Sequence, residues 1–143
     1  MAPRTRSTRE SSPLAEALEA VGDRWTLLVV AALLEQPRRF NDLLGAIPGI
    51  APNILTQRLR HLEEQGLAVA EPYCERPPRS LYELTAAGRE LAGALRSLSE
   101  WGGRRAGSEP VRHAACGSPL DAVWYCPTCE QPVTDDENGL HYI

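Results

Sequence analysis

Lysine is absent from this 143-residue chain, and all 15 of its basic residues are arginine. Guanidinium groups suit bidentate contacts with phosphate and guanine, although genomic codon bias produces the same inventory. Long apolar runs are also missing. The longest stretch, residues 25–34, is too short to cross a bilayer and reads as a buried helix. No apolar segment follows the arginines of MAPRTRSTRE, so no secretory signal is expected and the chain is placed in the cytoplasm, close to the nucleoid. There the four cysteines favour metal ligation over disulfides. No acid–base pair, phosphate loop or open metal site is legible, which argues against an enzyme. Nor is there the surplus of positive charge that a DNA-binding protein often carries, because the net charge is −4. That figure hides a division. From Gly107 onward there are six acidic residues and one arginine, whereas the remainder holds 14 basic and 13 acidic residues. Placement of charge is therefore more informative than its sum.

What is present is a globular composition, 43% apolar and 24% charged, in a chain long enough for one cored domain and a small appendage. Residues 1–12 show no apolar pattern and read as an arm. Ser12-Pro13 has the form of a helix start, a capping hydroxyl before a proline at the first helical position. Leu14, Leu18 and Val21 share one face of that helix. Asp23 can cap a second helix over 24–35, apolar nearly all round as a central core helix should be. Arg38-Arg39-Phe40 leads into a short helix ending near Ile47, and Pro48-Gly49 forces a turn. A further helix is expected over 51–65, with Leu55, Leu59 and Leu62 as its core stripe.

At about 100° per residue, Asn53, Gln57 and Arg60 face away from that stripe, with Pro52 at the helix start and Thr56 on the flank. Asn, Gln and Arg can contact base edges bidentately, though any surface helix also shows a polar outer face. Arg58 lies nearer the core edge, within reach of a phosphate or a neighbouring carboxylate. Two short strands, 67–71 and 80–84, flank a loop at 73–79 in which Pro77 and Pro78 stiffen the projection of Arg76 and Arg79. Contact with the DNA backbone or minor groove suits that loop better than a solvated role. Thr85 can cap one long final helix over 86–105. Its stripe of Gly88, Leu91, Leu95, Leu98 and Gly102 suggests pairing between two subunits.

The order of these elements, and the wording GDRWTLLVV, QPRRFNDL, IPGIAPNILTQRLRHLEEQGL, RPPRSLYELTAAGREL and SLSEWG, resemble the HxlR-type winged helix-turn-helix regulators, relatives of the MarR type. The likeness covers residues 13–105. It implies a mainly α (α+β) winged helix-turn-helix with a long C-terminal dimerisation helix. It also implies a homodimer formed through the first and last core helices, binding double-stranded DNA as a bacterial transcription factor. The helix at 51–65 would be the recognition helix and 73–79 the wing, with phosphate contacts near Arg38 and Arg39. In the wider MarR-like group a small-molecule effector occupies a cavity between the core and dimer helices. One departure is plain. Many members carry a Cys-Pro before the first helix, some of them for sensing oxidants, and this chain has Ser12-Pro13. Cys74 on the wing is the one cysteine outside the tail, and an incidental thiol is its simpler reading.

The tail is divided into a linker at 107–112 and a small segment at 113–143. His113-Ala-Ala-Cys116, nine residues, then Cys126-Pro-Thr-Cys129 has the ligand types and paired spacing of a zinc ribbon. Three thiolates and one imidazole would form a closed structural site holding one Zn ion per chain. His141 is a spare imidazole without ligand-like spacing. A redox role for Cys126 and Cys129 finds no βαβ context. The leading reading is a dimeric repressor at an inverted-repeat operator. The alternative is an interaction module whose ribbon binds a protein.

Overall fold

The computed structural model describes residues 12–133, so the arm expected before Ser12 and the spare imidazole of His141 lie outside the described residues. In chain order the elements are α1 (Pro13–Val21), α2 (Arg24–Glu35), β1 (Arg38–Arg39), α3 (Phe40–Ala46), α4 (Pro52–Glu64), β2 (Ala68–Glu75), β3 (Pro78–Leu84), α5 (Ala86–Arg89), α6 (Ala92–Ala106), β4 (Trp124–Cys126) and β5 (Gln131–Val133). They form two compact units, one ending at Arg89 and one beginning at Glu90.

The first unit follows the capping logic of its sequence. The Ser12 hydroxyl accepts the Ala15 N–H at 3.1 Å, with Pro13 opening α1. Asp23 Oδ1 accepts the N–H groups of Trp25 (2.9 Å) and Thr26 (3.1 Å) and so starts α2. Val29, Val30 and Leu33 of α2 are buried, and Leu55, Leu59 and Leu62 of α4 pack into the same core. Leu43 from α3, Ile47 and Ile50 from the following turn, and Ala68 and Leu84 from the strands close it. Truncating any of the fully buried leucines to alanine should cost about 2–5 kcal/mol. Between α3 and α4 the chain turns through Gly49 at φ +81°, a left-handed conformation that glycine adopts without strain.

Three departures from the sequence expectations shape the site. Arg38 and Arg39 form β1, which pairs antiparallel with β3 in the register Arg38↔Tyr82 and Arg39↔Leu81. The sheet is therefore three-stranded, in the order β1-β3-β2. The strands also run further than the short segments expected at 67–71 and 80–84. Pairing continues through Cys74↔Arg79 to Glu75↔Pro78, so the expected loop at 73–79 shrinks to a turn at Arg76 and Pro77, joined by a cis peptide bond. Proline is tolerated here because β2 is an edge strand and its register shifts between Pro72 and Cys74.

Lastly, the single final helix expected over 86–105 is two helices, interrupted at Glu90 and Leu91. Thr85 does cap α5, its hydroxyl accepting the Gly88 N–H (3.2 Å) while donating to the Gly66 carbonyl (2.7 Å). That seats Gly88 against the chain at Leu67, where an added Cβ would lie 2.2 Å from the Leu67 carbonyl oxygen. Gly88 thus serves packing within the first unit and does not extend the stripe of Leu91, Leu95, Leu98 and Gly102.

In the second unit α6 buries none of its residues fully and ends at Gly107, φ +72°, with the Ser108 N–H returning to the Gly103 carbonyl at 2.8 Å. Beyond it an antiparallel bridge joins Arg112 to Pro119, and β4 pairs with β5. Among the described residues, no helix is long and apolar enough to cross a membrane.

Candidate nucleic-acid interface

Burial of Leu55, Leu59 and Leu62 leaves Asn53, Gln57 and Arg60 exposed on the outer side of α4, with Pro52 exposed at its start. Thr56 is half-buried and its hydroxyl donates to the Pro52 carbonyl at 3.0 Å. Arg58 behaves differently. Its Nε lies 3.3 Å from Asp23 Oδ1, so of the two partners open to it in sequence the structure supplies the carboxylate. The same helix is fixed to the end of α1, where His61 Nε2 donates to the Ala20 carbonyl at 2.6 Å. Burial raises the Tyr82 phenol above its ordinary pKa, nearby Glu63 adds to this and Arg60 opposes it. Tyr82 on β3 therefore lies within electrostatic reach of α4.

The two arginines before α3 have separate fates. Arg38 is largely covered, its Nε donating to the Ala32 carbonyl at 3.0 Å and its terminal nitrogen paired with Glu35. Arg39 is exposed, and its guanidinium lies 4.7 Å from the centroid of the Tyr73 ring, a cation–π contact that links β1 to β2. Its backbone N–H donates to Asp42 Oδ2 at 3.0 Å, tying the same residue to the first turn of α3.

Around this contact lies an open groove of about 710 Å³, lined by Arg39, Phe40, Asn41, Asp42, Tyr73, Pro78, Arg79, Ser80 and Tyr82. Two guanidiniums, two phenols, a hydroxyl and an amide give it the donors a phosphodiester needs. Of these, Asn41, Tyr73, Ser80 and Tyr82 were not singled out from sequence. The spacing of Ser80 and Tyr82 places them on one face of β3 and could have flagged them. Arg76, in contrast, stands exposed at the turn, apart from the groove lining. Cys74 is a half-buried free thiol opposite Arg79.

A helix-turn-helix whose second helix shows a polar face, beside an arginine-bearing β-ribbon, defines a winged-helix transcriptional regulator with a DNA-binding fold. The model of the HxlR-like helix-turn-helix family matches residues 20–109, and the chain belongs to that family. It is 38% identical to an uncharacterised HTH-type transcriptional regulator of Mycobacterium tuberculosis over 130 residues, covering 87% of this chain and 82% of that protein. Among solved structures it is similar to a transcription-factor candidate from Pseudomonas aeruginosa, at TM-score 0.67 and 31% identity over 90% of each chain. It is also similar to the redox regulator HypR in its reduced form, at TM-score 0.62 and 32% identity over 66% of this chain and 94% of that one. The relatives are transcriptional regulators, in keeping with a chain that is not an enzyme. The mycobacterial and Pseudomonas matches cover more of the chain than its first 109 residues contain, so they run past the family's boundary into the tail.

In that tail the two predicted ligand pairs form separately. His113 Nδ1 lies 3.3 Å from Cys116 Sγ. The turn is closed by Gly117 N–H donating to the His113 carbonyl (2.8 Å) and His113 N–H to the Ser118 carbonyl (2.8 Å). Arg112 braces it from outside, donating to the Gly117 carbonyl at 3.0 Å. Hydrogen bonds from the side chain and backbone of Ser118, and then from His113, draw the Cys116 thiol down to about 7. Cys126 ends β4 and Cys129 sits in the turn before β5, where Cys129 and the Thr128 backbone lower the Cys126 thiol and Cys126 raises Cys129. Among the described residues, no three His, Cys, Asp or Glu side chains are grouped to hold a metal.

Proposed function

We propose that this regulator is a dimeric repressor that binds an inverted-repeat operator. The observation that carries the reading is the outer face of α4, where Asn53, Gln57 and Arg60 are exposed and free of the core. These three side chains read base edges in the major groove. Arg39 and Arg79 in the groove beside the wing hold phosphates, and Arg76 at the wing turn reaches the adjacent backbone or minor groove. Arg38 and Arg58, engaged with Glu35 and Asp23, act chiefly by holding α2 and α4 in place.

Support for a dimer comes from apolar side chains left in water. Leu14 and Leu18 of α1 are 65% and 54% exposed, and Leu98 and Trp101 of α6 are 51% and 53% exposed. A second copy of the chain would cover them, in keeping with the homodimer that the family resemblance leads one to expect. Two recognition helices would then enter successive major grooves about one helical turn apart. An oxidant-sensing thiol before α1 has no part in this reading, because Ser12 occupies that place as a helix cap.

The decisive experiment selects genomic fragments on the purified protein, then titrates the best fragment and a scrambled control with salt. A preference of about a thousandfold or more, with two-fold symmetric enriched sites, is expected. Equal, salt-sensitive binding to both duplexes refutes sequence-specific regulation. Placing the enriched site over a reporter promoter tests the sign, since a repressor lowers expression.

A further inference from the structure

We propose that residues 112–133 are a structural metal ribbon, in which the His113–Cys116 turn and the Cys126–Cys129 turn close on one zinc ion. The two turns are built alike. Each presents its donors three residues apart, and each is followed at once by a left-handed residue, Gly117 at φ +72° and Glu130 at φ +55°. Glu130 is the single non-glycine residue with positive φ among the described residues. Each turn also caps a small antiparallel pairing, Arg112↔Pro119 for the first and β4–β5 for the second. Two such hairpins, one tipped with an imidazole and a thiol and the other with two thiols, are what one tetrahedral zinc ion requires.

Among its described residues the segment has little other source of stability. Val123, Trp124 and Tyr125 are 62%, 72% and 58% exposed, and no residue from 107 to 133 is fully buried. So little core cannot order a segment of this length, whereas coordination can supply the free energy. All three tail thiols are free, so no disulfide performs that task. Three thiolates with one imidazole select zinc over magnesium or calcium, which take oxygen donors. On binding, the three thiols give their protons to solvent and nothing is oxidised or reduced. Sulfur–zinc bonds of about 2.3 Å draw the two turns, now separate half-sites, together.

Position suggests what the ion fixes. Val111, Leu120 and Asp121 line, with Gly93 and Arg96 of α6, a cavity of about 290 Å³. The ribbon therefore leans on α6, and ordering it braces that helix.

The test uses the full chain, purified with zinc and reconstituted in parallel with cobalt(II). One zinc per chain and the visible spectrum of tetrahedral cobalt–thiolate are expected. Cys116→Ser and Cys126→Ser should lose that spectrum, while Cys74→Ser keeps it. Stripping the wild-type protein with a chelator should speed tryptic cleavage after Arg112 by about tenfold or more, as local order is lost. This readout stands even where a cysteine variant misfolds. Protein that holds no zinc and gives octahedral cobalt overturns the proposal, as does cleavage indifferent to the chelator. A spectrum lost in His141→Ala but kept in His113→Ala overturns the ligand set.

Discussion

Asp23 serves two helices at once, accepting two N–H groups of α2 while its carboxylate pairs with Arg58 of α4. Asp23→Ala should destabilise the fold by about 1 kcal/mol through the lost cap, lowering the urea midpoint with the slope unchanged. Asp23→Asn, which keeps the cap, should recover most of that loss; no recovery would mean that the ion pair dominates. Among the side chains proposed to face DNA, Arg60→Ala should narrow the gap between operator and random duplex. Arg79→Ala should instead weaken both and reduce the salt slope by about one. Identical behaviour of the two variants would remove the distinction between base reading and phosphate holding. The outer positions of α4 were legible because three leucines define its inner stripe, and a regular helix fixes every other position by rotation. The engagement of Arg38 with the Ala32 carbonyl and the stacking of Arg39 on Tyr73 were not. Both depend on where the chain returns after a turn, which no local pattern records.

Helix starts were legible for an elementary reason, since Ser12, Asp23 and Thr85 carry side-chain oxygens that satisfy unpaired N–H groups. The two-residue β1 was hidden, because a strand that short has no period and owes its existence to β3. The break between α5 and α6 was hidden too, as the apolar spacing runs on across it. Gly88→Ala is the substitution that separates packing from propensity at this point. In a free helix alanine would be favoured, but here its Cβ meets the Leu67 carbonyl. A loss of about 1–3 kcal/mol is expected, read from thermal unfolding. An unchanged or raised melting temperature would show that the chain at Leu67 yields easily.

Assembly decides how far the chain's modest charge can be put to use. A dimer doubles the number of arginines facing one duplex without changing the sign of either subunit's tail. Leu18→Glu or Trp101→Glu should shift the protein toward monomer in sedimentation, with operator affinity falling at least about a hundredfold as the second half-site is lost. Operator binding at wild-type affinity by a demonstrated monomer would exclude pairing through α1 and α6. The hydrogen bond from His61 to the Ala20 carbonyl gives that pairing a further meaning. It joins the helix proposed to read DNA to the end of the helix proposed to meet the partner. In a dimer paired as proposed, a rotation of α1 at the subunit boundary would carry α4 with it and alter the interval between the two recognition helices. What such a shift would tune is the number of base pairs tolerated between half-sites, while the letters within each half-site stay the same.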